Sequence, residues 1–265
     1  MRAPSDPTSL LASVTPQQGL RPALSPHDSA PSVRSVRGLA GNPESGGATE
    51  SARSARIVVL ASGAGTNLAA LLAVHENPAF GARVVGVVSD KAGAGALGLA
   101  RSARVPTAVV VPADFPDRDA WNAGMLEAVR VFHPDYVVLA GFMRILAPGF
   151  VGQFPGRMLN THPALLPSFP GAHAVRDALA YGVRVTGCTV HIVDDGVDTG
   201  PILAQVAVPV AEDDDESRLH ERIKVAERAL LVEAVGRVAR EGLHMEGHRA
   251  VFGAEPLVAA QDYTT

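Results

Sequence analysis

The sequence predicts an α/β domain of Rossmann-like type, with a mostly parallel twisted sheet, helices on both faces and a partly antiparallel C-terminal part. Three observations support this. Short runs rich in Val and Ile, such as RIVVLAS (56–62) and RVVGVVS (83–89), show no polar alternation, as expected of strands covered on both faces. Stretches of helical length and periodicity separate them, the rhythm of βαβ units. Beyond residue 162 the rhythm loosens, and two strand-like runs flank a short acidic loop.

Taken in order, 56–62 is the first strand, and a helix begins near Asn67 with NLAALLAVHE. A second strand at 83–89, a helix at 94–103 and a third strand at 107–111 follow. DRDAWNAGMLEAVRVF (117–132) is a helix with Asp117 as N-cap, because a short acid before an amphipathic run accepts from the first free backbone N–H groups. DYVVLAG (135–141) and RMLNTH (157–162) are the fourth and fifth strands. A proline-rich loop, a helix near 173–181, strands at 185–193 and 201–210, a long amphipathic helix at 217–241 and a closing hairpin (LHMEG, HRAVFG) complete the domain, expected over 55–265. Residues 1–54 contain no Phe, Tyr or Trp and are crowded with Ser, Pro, Gly and Ala, so a disordered tail is expected there. Asp6, Asp28, Glu44 and Glu50 set this tail apart from an organelle transit peptide.

Composition narrows the function classes. A hydrophobic content of 47% supports a sizeable core, and a formal charge of −4 without a Lys/Arg block gives no footprint for nucleic acid. The single cysteine, Cys188, cannot staple the fold, and a reducing cytoplasm is the expected compartment. No apolar run reaches the ~18 residues of a membrane helix. The expected partners are small molecules, with the chain a monomer or a homodimer.

Three stretches carry chemistry. ASGAGTNL (61–68) follows the first strand and opens a helix, yet Leu68 stands where the dinucleotide fingerprint needs its third glycine, which disfavours NAD. Two readings stay open for it. In one, the backbone N–H groups of Gly65, Thr66 and Asn67 cradle a phosphate at the helix N-terminus. In the other, it is a tight turn with Asn67 capping the helix. The second stretch is MLNTHPALLPSFPG (158–171). Asn160 and His162 lie two apart on a strand, so they project to one side at its carboxyl end, where ligands bind in open α/β sheets. An amide N–H can stabilise an oxyanion, and an imidazole exchanges protons near neutral pH. Residues of these types also satisfy loop backbone groups, so the pair alone does not decide. The third is HIVDDGVDTGPI (191–202), whose Asp198 sits on a glycine-bearing turn and gains meaning if it faces His162, which a carboxylate would orient and charge.

In combination these motifs resemble the formyltransferase family that uses 10-formyltetrahydrofolate. The resemblance runs from about Arg56 through the folded chain and rests on SGAGTNL, VVLAGFMRIL, NTHPALLPSFPGAHAVRDAL, GCTVHIVDDGVDTGPIL and ERIKVAERALL. The chain is most similar to members that formylate the amine of glycinamide ribonucleotide in purine biosynthesis. The resemblance implies Asn160, His162 and Asp198 as the catalytic trio, acting by direct transfer with no metal. It implies Gly65, Thr66 and Asn67 as the phosphate cradle, with Lys224 and Glu227 near the same substrate. For the folate it implies Arg118, Met143, Arg144, Ile145, Leu146 and Asn160, with Val193 and Asp195 completing the pocket. His191 is implied as support from behind, and Thr199 departs from a position where many relatives carry Gly. Formyltetrahydrofolate deformylases share the trio but resemble this chain plus an N-terminal regulatory domain. Methionyl-tRNA formyltransferases continue into a basic C-terminal barrel. A non-catalytic nucleotide-binding module would leave the trio unexplained.

Overall fold

A computed structural model describes residues 54–253, so the expected tail and the last stretch of the domain lie outside the described residues. Seven strands form one sheet in the order β3-β2-β1-β4-β5-β6-β7. They are β1 (Ala55–Leu60), β2 (Ala82–Ser89), β3 (Thr107–Val109), β4 (Tyr136–Leu139), β5 (Met158–His162), β6 (Val185–Ile192) and β7 (Ile202–Pro209). The first five run parallel, β6 is antiparallel to β5, and β7 is antiparallel to β6, as the loosened rhythm implied. A separate hairpin pairs β8 (Leu243–Glu246) with β9 (Arg249–Phe252).

Strand order reverses at β1, which lies between β2 and β4, so the loops leaving β1 and β4 part to opposite sides and open a crevice. Both loops carry motif residues. Two bonds tie them together, since Ser62 N–H donates to Gly141 O (3.1 Å) and Met143 N–H donates to Ser62 Oγ (3.0 Å).

Alternation along the strands sends side chains into two cores. Ile57 and Val59 pack with Leu219, Ile223, Leu231 and Val235 of α6 (Glu216–Glu241). Val58 and Leu60 pack on the other face with Trp121, Met125 and Val129 of α3 (Arg118–Arg130). Side chains as fully buried as Leu231 and Met125 each contribute about 1.5–3 kcal/mol. Asp117 caps α3 as expected, its Oδ1 accepting from Ala120 N–H at 2.8 Å. Asp215 does the same for α6 through Arg218 N–H.

Four local expectations need correction. Helix α1 (Thr66–Leu72) stops short of Glu76: residues 73–76 form turns, and Asn77 then caps a 3-10 turn at Pro78–Phe80. Asn67 does not cap α1. The N-cap is Gly65 without a side-chain bond, and Asn67 lies buried inside the helix with Oδ1 unpartnered among the described residues. The third strand ends at Val109, and one turn of helix, α4 (Pro148–Val151), follows β4 where no element was expected. The remaining helices, α2 (Gly95–Ser102) and α5 (Ala174–Tyr181), lie where the pattern placed them.

Candidate active site

Strand β5 ends on Asn160 and His162, and its neighbour β6 sets His191 directly opposite Asn160. The loop between β6 and β7 folds back over this end and delivers Asp198. It can do so because Gly200 has no side chain; a Cβ there would lie 1.8 Å from Ile192 O. Asp194 Oδ1 latches the loop, accepting from Gly196 N–H (3.1 Å) and from the Thr199 hydroxyl (2.8 Å). Thr199 therefore makes a bond that a glycine would lack.

The sequence left open whether Asp198 meets His162, and it does. Asp198 Oδ2 stands 3.3 Å from His162 Nδ1 and accepts from Gly171 N–H at 2.8 Å. Its Oδ1 lies 3.5 Å from both His191 Nε2 and Asn160 Nδ2. Asp198 itself holds φ +55°, a left-handed conformation that costs a non-glycine residue about 1 kcal/mol or more. Burial pushes its carboxyl up, but the His191 ring, the Gly171 N–H and the nearby His162 outweigh that, holding it below the usual carboxylate range.

Hydrogen-bond direction fixes a proton on the His162 ring. His162 Nε2 lies 2.8 Å from Phe169 O, which can only accept, so Nε2 carries a hydrogen. Its Nδ1 faces the Asp198 carboxylate, so both ring nitrogens point at acceptors. His191 Nδ1 lies 3.0 Å from Ile192 O, and its Nε2 lies 3.1 Å from Asn160 Nδ2 and 3.5 Å from Asp198 Oδ1. The bond between His191 and Asn160 sets the amide's rotation, and the second Asn160 N–H makes a long 3.5 Å contact to Asp198 Oδ1. His162 and His191 are buried, at 4% and 2% exposure, so these interactions act in a poorly screened environment.

At the carboxyl end of β1, Gly65 holds φ +84°, and a Cβ there would lie 2.8 Å from Ala96 Cα. The close approach of α1 and α2 therefore demands glycine. Thr66 is exposed, with its N–H at the start of α1. On α6, Glu227 is buried and accepts from the Thr161 hydroxyl at 2.9 Å, on the face of β5 opposite Asn160 and His162. Lys224 pairs with Glu221 (2.7 Å) rather than with Glu227.

A cavity of about 450 Å³ opens beside the β4 loop, lined by Phe115, Arg118, Trp121, Met143, Arg144 and Ile145 among others. Met143 and Ile145 are 75% and 57% exposed, so these apolar side chains form an open wall and not core. Arg118 Nη2 donates to Ile145 O (3.0 Å) and Arg144 Nε to Asp90 Oδ2 (2.7 Å). Leu146 differs from expectation, because it turns inward and is buried in the second core. Val193 packs at the edge of that core, and Asp195 is exposed on the loop, where Asp194 makes the bonds. Trp121, Phe115, Asp90 and Phe169 were not singled out from sequence. A buried Trp facing the expected Arg118 turn was the signal that could have found one of them, since its ring sits 5.9 Å from the Arg144 guanidinium.

Comparisons with known proteins agree with this arrangement. The Formyl transferase family profile matches residues 55–235. Phosphoribosylglycinamide formyltransferase of Mycobacterium tuberculosis is 57% identical over 206 residues, covering 77% of this chain and 94% of that protein. The crystal structure of glycinamide ribonucleotide transformylase 1 from Symbiobacterium toebii superposes with a TM-score of 0.73 at 44% identity, covering 76% of this chain and 94% of that one. Phosphoribosylglycinamide formyltransferase from Brucella melitensis gives a TM-score of 0.68 at 41% identity, over 74% and 100% of the two chains. The chain thus belongs to the formyl transferase family, on its phosphoribosylglycinamide formyltransferase branch.

Proposed function

We propose that this chain transfers the formyl group of 10-formyltetrahydrofolate to the primary amine of glycinamide ribonucleotide, a step of purine biosynthesis. The observation that carries the proposal is the convergence of Asn160, His162 and Asp198 at the carboxyl end of β5, the strand next to β4, beside whose loop the cavity opens. The cavity suits a folate: aromatic Trp121 and Phe115 and the open wall of Met143 and Ile145 meet a flat ring system, and two arginines meet carboxylates. Gly65, Thr66 and Asn67 would hold the ribonucleotide phosphate on backbone N–H groups, with Lys224 and Glu227 near the same substrate.

The folate supplies the formyl carbon, and the ribonucleotide supplies the attacking amine. Negative charge then develops on the formyl oxygen, and the protonated His162 and the Asn160 N–H that makes only a 3.5 Å contact to Asp198 are the donors that meet it. His162 Nε2 must exchange Phe169 O for that oxygen, a swap between acceptors of similar kind. Asp198 keeps His162 charged and accepts a proton released by the amine, relayed through water, for delivery to the leaving nitrogen. A lone buried thiol suits a reducing cytoplasm, where we place the enzyme, working on small molecules as a monomer or homodimer.

The test is to follow folate release from 10-formyltetrahydrofolate by absorbance, with and without glycinamide ribonucleotide. Release that depends on the ribonucleotide supports the transferase. Equal release without it would make water the acceptor and the chain a deformylase.

A further inference from the structure

Asp90, at the carboxyl end of β2, is 1% exposed and is not a residue that the trio, the phosphate turn or the expected folate contacts use. Its Oδ2 accepts from Arg144 Nε at 2.7 Å, and its Oδ1 has no partner among the described residues. Burying a carboxylate with one oxygen unpaired is a poor way to gain stability, since an apolar pair of the same volume does as well or better. What the contact does fix is direction. Arg144 reaches across 54 positions of sequence to this one acceptor, its guanidinium 5.9 Å from the Trp121 ring. Among the described residues neither Nη nitrogen has a hydrogen-bond partner, and the side chain is 45% exposed along the cavity it lines. Asp117 also lines the cavity, but its carboxylate is engaged in capping α3.

We propose that Asp90 is a positioning residue for the formyl donor: by holding Arg144 Nε it presents the paired Nη N–H groups to the cavity as a preset fork for a carboxylate of the folate's glutamate tail. The inference rests on the formyl-transfer reading. Its physical content is preorganisation. An arginine held before binding does not lose its rotamer freedom on binding, and immobilising such a side chain costs enough to weaken affinity by about 3- to 10-fold.

Steady-state kinetics on two donors test it, a 10-formyl folate analogue that carries the glutamate and one truncated at the benzoate. Asp90→Ala should raise KM for the glutamate-bearing donor about 3- to 10-fold. KM for the truncated donor, KM for the ribonucleotide and kcat should hold. Asp90→Asn, which keeps an acceptor oxygen, should recover most of the loss, and Asp90→Ala should add nothing in an Arg144→Leu background. Wild-type turnover with equal effects on both donors, or none, would leave the transferase reading standing and overturn this inference. A wild-type chain that releases no folate would overturn both. Should Asp90→Ala fail to fold, wild-type protein gives the answer by nuclear magnetic resonance. The Arg144 Nε–H should be protected from exchange without ligand, and exchange at the rate of free arginine would overturn the proposal.

Discussion

Replacing Asp198 with Asn removes one charge and little volume, so it isolates what that charge does. Asp198 Oδ2 lies 3.3 Å from His162 Nδ1. At an effective dielectric of ~20, opposite charges at that separation attract by about 5 kcal/mol. Part of that is offset by the cost of burying the carboxylate, whose side chain is only 12% exposed. A net loss of about 3–4 kcal/mol is expected, corresponding to a drop in kcat of about 10²- to 10³-fold. Glycinamide ribonucleotide binding, measured by calorimetry, should change little, because the phosphate turn and α6 are untouched. The assay is folate release under saturating substrates. A kcat within threefold of wild type would refute the account of His162 as a ring kept charged by its carboxylate.

Other outcomes follow from the same geometry. Gly65→Ala places a Cβ 2.8 Å from Ala96 Cα at a positive φ, so it should cost about 1–3 kcal/mol in urea unfolding and raise KM for the ribonucleotide; a neutral result would contradict the close packing of α1 on α2. Burial pushes the Cys188 thiol up to about 12, so iodoacetamide at pH 8 should leave the native protein unmodified and label it fully in denaturant; rapid native labelling would contradict that burial. The Asp214 carboxyl, bonded to the Arg222 guanidinium, is held down to about 2. Its folded value lies below its unfolded one, so its contribution is complete above about pH 4 and is lost as pH falls toward 2. The melting difference between wild type and Asp214→Asn should shrink over that window, and a constant difference would count against the pair.

How much of this was legible in the sequence follows from the range of each interaction. Strand and helix order, the Asp117 cap and the β8–β9 hairpin depend on residues within a few positions, and pattern reading finds them. The pairing of Asn160 with His162 on one side of β5 follows from strand periodicity alone. The meeting of Asp198 with His162 does not, because it needs the β6–β7 loop to fold back over β5. That contact was reached through the motif resemblance and not through local chemistry. The grip of Asp90 on Arg144 and the capping of His162 by Phe169 O were invisible, the one because it spans two βα loops, the other because a backbone carbonyl leaves no mark in the sequence. The stretch 142–146 misled in one position. Its apolar residues look equivalent in sequence, yet Met143 and Ile145 face the cavity while Leu146 enters the core.

The most direct test of the central claim, that the end of β5 performs the transfer, is His162→Ala measured for turnover and ribonucleotide binding together. The account predicts a kcat lower by about 10²- to 10⁴-fold with a ribonucleotide dissociation constant within threefold of wild type. A variant that keeps wild-type turnover would contradict it, and the chemistry would have to be sought elsewhere in the fold.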